Sequence, residues 1–378
     1  MRSALLCGLS ACAIVIVCTP ATAQSQPPQT EQAGNFAQFV PQDDTISTRL
    51  DFTYWNTALR WFVLRMGRSL REYEPRPDTQ LGTRFSYGHD SAYRLEGNRV
   101  AFSLLPPDVI QSLTDYRRDL EQLAATVPIA RLGRNEQLAY WMNLHNVAVI
   151  EQIALVYPVK KPSLIPVGDS GLPLDESPFI TVAGVNLSPK DIRTRIVYPN
   201  WRDPKVIYGF WRGDIGGPSI SREAFASDNV GAQLDFLALE FVNSLRGTQK
   251  SGNTMLVSSI YDEARPFFFP NWPADLRAHI AKHAEEDVAA ILASTSAVAA
   301  SVSETDIADL SKGEREPQLT NLVKGDQYQS TSVDPAIARL LAERKDKIER
   351  AVRQNERQGK VTVQAGEANP PPPPEIVR

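Results

Sequence analysis

The residues of this chain that could do chemistry lie in two stretches, and the first is YWMNLHN at positions 140–146. It sets three polar side chains, Asn143, His145 and Asn146, among apolar and aromatic neighbours. An imidazole is a common general base, so this segment could line a site. It could equally tie a buried helix to neighbouring loops, because a buried polar group without partners costs about 1–3 kcal/mol.

The second stretch is YGFWRGDIGGPS at positions 208–219, where a glycine-rich run follows aromatic residues. Its Arg212 could receive a carboxylate or phosphate, or be neutralised internally by Asp214. Ser219 or Ser221 could act as a nucleophile with His145 as the base, although GGPSIS is not the G-x-S-x-G elbow of serine hydrolases and Ser221 could instead cap a helix. The candidate pocket has six members, none assigned a catalytic role: Asn143, His145, Asn146, Arg212, Asp214 and Ser219.

A third feature is HIAKH, which places His279 and His283 one helical turn apart, with Glu285 and Glu286 close by. Two histidines on one helical face can bind zinc. The glutamate that follows the first histidine in the H-E-x-x-H motif is missing. We therefore predict no metal site and no cofactor.

The N-terminal residues resemble a secretory signal peptide. An apolar run from Ala4 to Cys18 is shorter than a membrane-spanning helix, and it ends at the small-residue pattern Ala-Thr-Ala, whose last residue is Ala23. We expect cleavage after Ala23 and a periplasmic or secreted protein. The alternative is a lipoprotein cleaved before Cys12.

All three cysteines, Cys7, Cys12 and Cys18, fall inside this signal segment. Cleavage after Ala23 would therefore leave a mature chain without a thiol. Such a chain has no disulfide, no cysteine nucleophile and no thiolate metal site, so its core must hold by packing.

The charge balance limits the partners. The chain has 40 basic and 44 acidic side chains and a formal net charge of −4, without a long run of either sign. A nucleic-acid partner would call for a basic face, and the chain has no polybasic patch for a membrane surface. We therefore expect that the protein does not bind nucleic acid and is not an integral membrane protein. We expect its partner to be an unidentified ligand or protein of the cell envelope.

Helices predominate in the N-terminal half. Apolar residues recur at helical spacing over 55–66 and 108–126, and a long helix is predicted from an Asn135 N-cap to a stop at Pro158. In that long helix His145 lies within the apolar face.

Short strands appear after the long helix. FITVAGVNL (179–187) predicts a hairpin, Ser188 caps the following helix, and KVIYGFW (205–211) predicts a buried central strand. A helix from about Ser221 to Leu245, a strand MLVSSIYD and a helix over 274–294 follow. This order predicts an α+β fold, with a helical N-terminal half packed on a small, mostly antiparallel sheet.

The predicted organisation has six parts: a signal peptide 1–23, a flexible leader 24–46, one α+β domain 47–305, a linker 306–333, an amphipathic helix 334–356 and a disordered proline-rich tail 357–378. The tail could dock on an aromatic groove, although such segments are usually solvated spacers.

Four ordered blocks resemble the domain of unknown function 547 family of bacterial and plant proteins. They are YWMNLHN, FITVAGVNLSPKDI, DPKVIYGFWRGDIGGPSISREAF and AQLDFLALEFVN, and the similarity covers about residues 48–265. The resemblance implies a fold but no reaction. Its comparison with papain-like or transglutaminase-like thiol enzymes is an analogy only.

This chain departs from the family pattern where the thiol would stand. The two family cysteines fall on Arg212 and Gly217, the histidine of the H-F-A-L run falls on Ile207, and the tyrosine of the W-x-N-x-Y-N helix falls on His145. We therefore expect an exported cell-envelope protein that is a non-catalytic binding or structural module. The alternative is a hydrolase whose degenerate site uses serine or another group instead of cysteine.

Overall fold

The computed structural model describes residues 36–78, 88–168, 171–314, 320–324 and 327–358. The predicted signal peptide and the proline-rich tail beyond residue 358 lie outside the described residues.

Helices are the predominant secondary structure of the described residues, and none of the described helices is both long and apolar enough to cross a membrane. The longer helices are α1 (Thr53–Phe62), α2 (Pro107–Leu123), α3 (Arg134–Val156), α4 (Val230–Val242), α5 (Ile260–Phe268), α6 (Ala274–His283), α7 (Glu286–Ala293) and α8 (Pro335–Gln358). Shorter helical turns are Ala37–Phe39, Phe102–Leu104, Ile129–Arg131, Pro162–Leu164, Pro204–Gly209, and a continuous run of Pro189–Asp191, the π-helical Ile192–Val197 and Tyr198–Asn200.

The strands are short and distributed over small sheets, so the predicted α+β fold is confirmed. Four antiparallel pairs are β1 (Val63–Leu64) with β2 (Arg99–Val100), β3 (Pro166–Val167) with β4 (Leu172–Pro173), β5 (Ile180–Val182) with β6 (Val185–Leu187), and β10 (Thr320–Lys324) with β11 (Gln327–Val333). In a three-stranded sheet, β8 (Thr254–Ser258) lies between antiparallel β7 (Thr248–Ser251) and parallel β9 (Ala297–Val302).

Helix α3 lies at the centre of the core. Nearly every residue from Glu136 to Ala154 is buried, so the helix has no solvated face over that stretch. A helix that is covered on all sides belongs to the interior of a large domain. It ends at Val156, before Pro158 as predicted, but Gly133 and not Asn135 is its N-cap residue. The Asn135 amide donates instead to the carbonyl oxygen of Ser227.

Local sequence signals correctly predicted the hairpin β5–β6 and the start of the helical run after it. The hydroxyl of Ser188 accepts a hydrogen bond from the backbone N–H of Asp191, and the Asp191 carboxylate accepts one from the backbone of Ser188. This reciprocal capping box directs the chain into the π-helical turn that carries Arg193.

The predicted central strand over residues 205–211 is wrong. The carboxylate of Asp203 accepts from the N–H of Lys205, and a 3₁₀-helix covers Pro204–Gly209. The run is apolar because it is buried. The 3₁₀-helix supplies local backbone bonds, and an asparagine of α3, described below, bonds the backbone of Gly209 and Trp211 at the end of the run.

Two predicted helices are shorter than expected. The helix predicted from Ser221 begins at Val230, because the Ser221 hydroxyl accepts from the N–H of Glu223 in a local turn. The predicted helix over 274–294 is divided into α6 and α7. The side-chain amide of Asn243 lies at this break, where it donates to the carbonyl of His283 and accepts from the backbone N–H of Glu285.

The packed part of the chain extends beyond the predicted domain boundaries 47 and 305. Phe39, from the predicted leader, is buried against the ring of Trp141, with ring centroids 5.2 Å apart. In the predicted linker, the buried carboxylate of Asp309 accepts from the hydroxyl of Tyr157 at 2.9 Å and from the N–H of Gly313 at 2.9 Å. Residues around Asp309 are therefore core. The predicted last helix is present as α8.

Candidate functional site

His145 is completely buried, and both of its ring nitrogens are engaged. Nε2 lies 3.0 Å from Nη1 of Arg193, and Nδ1 lies 3.1 Å from Oδ1 of Asn146. Because a guanidinium can only donate, Nε2 is the acceptor, and the ring proton resides on Nδ1. Burial and the neighbouring Arg193 lower the pKa of His145 to about 3, so the ring is neutral at physiological pH.

Arg193 is the centre of a buried ionic network. Its guanidinium donates two hydrogen bonds of 2.7 Å to Asp175 and bonds of 2.9 and 3.0 Å to Glu263. Glu263 also accepts from Nη2 of Arg212 at 2.7 Å. Two guanidinium groups therefore face two carboxylates, and the remaining donor position of Arg193 meets the imidazole.

Distant parts of the chain supply this network. Arg193 lies in the π-helical turn after the capping box, Asp175 follows β4, Glu263 lies in the first turn of α5, and Arg212 follows the 3₁₀-helix. Burial opposes the ionisation of Asp175 and Glu263, but the two guanidinium groups outweigh it and lower the pKa of both carboxyl groups. The network is therefore an ionic connection between four segments.

The two asparagines of α3 act as backbone clamps. Asn146 donates to the carbonyl of Gly209 at 3.0 Å and accepts from the N–H of Trp211 at 3.0 Å. Asn143 accepts from the N–H of Phe225 at 3.1 Å and donates to its carbonyl at 2.8 Å. Each amide thus provides hydrogen-bond partners for one buried backbone N–H and one buried backbone carbonyl, as a neighbouring strand would do in a sheet.

The expected ion pair between Arg212 and Asp214 is replaced by the pair of Arg212 with Glu263. Asp214 accepts a 2.7 Å hydrogen bond from the N–H of Gly217, which closes the glycine-rich turn. Burial is the main reason that the pKa of Asp214 is raised, to about 6.

Ser219 lies in a different environment from His145. Its hydroxyl donates to Oε2 of Glu240 at 3.0 Å and accepts from the N–H of Asn98 at 3.2 Å, and Glu240 is also held by Arg246. The described residues show no hydrogen bond between Ser219 and His145. The serine–histidine pair of the hydrolase alternative is therefore not formed.

Ser219 and Glu240 line a cavity of about 230 Å³. Its apolar wall comes from α4, where Phe236 and Leu239 are 58% and 41% exposed and Leu237 is buried. Of the six candidate residues, Ser219 alone is among those that line this cavity. The structure thus separates Ser219 from Asn143, His145 and Asn146.

The residues 129–242, from the turn before α3 to the last residue of α4, match the family model described as "Protein of unknown function, DUF547". This part of the chain belongs to the DUF547 family. No curated protein and no solved structure matches the chain.

The DUF547 segment contains Arg193 and Arg212, whereas their partner Glu263 lies beyond it. Four residues of these networks were not predicted from the sequence: Asp175, Arg193, Glu240 and Glu263. The available signal was the pair of arginines, Arg193 and Arg195, between the apolar residues of IRTRIV (192–197). Such a residue is buried only if it has partners, but the sequence does not say which.

The two histidines of HIAKH contact each other and a tyrosine. Nε2 of His279 lies 2.7 Å from the hydroxyl of Tyr208, and its ring packs on that of His283. Within the described residues, no group of three or more histidine, cysteine, aspartate or glutamate side chains could hold a metal ion.

We predict that Arg193→Met lowers the free energy of unfolding by about 2–3 kcal/mol, because it leaves Asp175 without its cation and Glu263 with Arg212 alone, while the 36% exposure of the Asp175 side chain lets water offset part of the loss. Urea unfolding followed by circular dichroism measures the change. Arg202→Met, at an exposed position, is the matched control and should change stability by less than about 0.5 kcal/mol. Equal effects of the two substitutions would contradict the role given to the network.

Proposed function

We propose that the protein is an exported, non-catalytic binding module of the cell envelope, and that its ligand occupies the cavity beside Ser219. The observation that carries this proposal is the composition of the cavity, which is lined both by exposed apolar side chains of α4 and by Ser219. Ligand sites typically combine apolar walls with a few fixed polar groups. Asn98 and Glu240 hold the serine hydroxyl in place.

The polar groups around the cavity support a function without catalysis. A serine nucleophile needs an adjacent, oriented base and an oxyanion hole. No histidine is among the residues that line the cavity in the described part of the chain. His145 is buried and bonded on both nitrogens, so it is unavailable as a base.

Export is supported by the sequence of residues 1–23. In this proposal the mature chain begins at Gln24, and in the lipoprotein alternative it begins at an acylated Cys12.

The hydrolase alternative has one observation in its favour, the 3.0 Å hydrogen bond from Ser219 to the carboxylate of Glu240 at a cavity wall. A fluorophosphonate probe, which reacts with activated serines, separates the two functions. We expect no labelling of the wild-type protein. Labelling that is lost in Ser219→Ala and kept in Ser221→Ala would establish the hydrolase and contradict the proposal.

We predict that Nile red, an uncharged apolar dye, binds in the cavity and that Leu239→Trp weakens its binding at least tenfold, because the larger side chain fills the space. Leu341→Trp is the matched control, since Leu341 is a helical leucine of similar exposure, 38% against 41%. Dye fluorescence titration measures both affinities. If the dye does not bind, or binds Leu239→Trp as well as the control, the cavity is not the binding site.

A further inference from the structure

One of the four charged side chains that line the cavity beside Ser219 has no ionic partner among the described residues. Glu240 is paired with Arg246, which lies outside the cavity lining, and Arg68 is paired with Glu285 at 2.6 Å. Arg65 also lines the cavity and is exposed. Its guanidinium makes no hydrogen bond or ion pair with any of the described residues, so it is the cation left over.

Buried cations also lie behind the cavity wall, but buried carboxylates accompany them. Arg99, next to the cavity residue Asn98, donates to backbone carbonyls, and the carboxylates of Glu96 and Asp309 act on it electrostatically. Lys347 of α8 donates to the carbonyl of Leu95 at 2.6 Å and is likewise stabilised by Glu96. In the described part of the chain, the unpaired positive charge at the cavity is therefore that of Arg65.

The opposite side of the same cavity is apolar. The side chains of Phe236, Leu237 and Leu239 face a volume of about 230 Å³. A buried apolar cavity of about 150 Å³ is enough to bind benzene, so this one can hold a slightly larger apolar group. Burial of the exposed Phe236 and Leu239 surfaces by such a group would be favourable by about 25 cal/mol per Å².

We propose that the ligand is a small amphipathic anion, with a short apolar chain against α4 and a carboxylate on the guanidinium of Arg65. This inference rests on the proposed binding function and adds the class of ligand. A planar guanidinium matches a carboxylate with two parallel hydrogen bonds, which fixes the orientation of the chain in the cavity.

The test uses octanoate as the probe in isothermal titration calorimetry, with octyltrimethylammonium and acetate as comparisons. We expect octanoate to bind, the cationic amphiphile to bind at least tenfold more weakly, and acetate not to bind. Arg65→Gln should weaken octanoate binding at least tenfold. Arg118→Gln, which removes another exposed arginine, is the control and should have no effect.

Equal affinities for octanoate and octyltrimethylammonium, or an unchanged affinity in Arg65→Gln, would overturn the ligand class. Binding of Nile red without binding of octanoate would overturn it as well, and the proposed binding function would stand. If neither Nile red nor octanoate binds, both the ligand class and the proposed function fail.

Discussion

Helix α3 is enclosed by protein along most of its length, so its polar atoms must find partners within the chain. Asn143 and Asn146 meet this requirement with backbone groups of two later segments. His145 meets it with Asn146 and the buried Arg193. These contacts join α3 to the end of the 3₁₀-helix, to the backbone of Phe225 and to the π-helical turn.

The same constraint explains why side chains of types that often take part in catalysis serve a structural role here. Arg193 would be very costly to bury alone, and the carboxylates of Asp175 and Glu263 make its burial tolerable. Arg212, at a position where the family resemblance places a cysteine, joins the same network through Glu263. An open surface with exposed apolar groups lies elsewhere, at the wall that α4 forms beside Ser219.

Local features could be predicted from the sequence, whereas long-range partners could not. The hairpin β5–β6 and the Ser188 capping box follow from neighbouring residues, and both are present. The run 205–211 has the composition of a buried strand, but its backbone is bonded by Asn146, which no local pattern reveals. Likewise, Arg212 had a nearby acid in Asp214, and its actual partner is 51 positions away.

The central claim is that the polar side chains of α3 hold the fold and take no part in proton transfer. Nitrogen-15 NMR of the imidazoles tests it directly, because the chain has 4 histidines and His145→Asn identifies one of them. The account predicts a neutral His145 ring, protonated on Nδ1, whose shifts stay constant from pH 8 to pH 5. Titration of His145 within that interval, or a proton on Nε2, would contradict it.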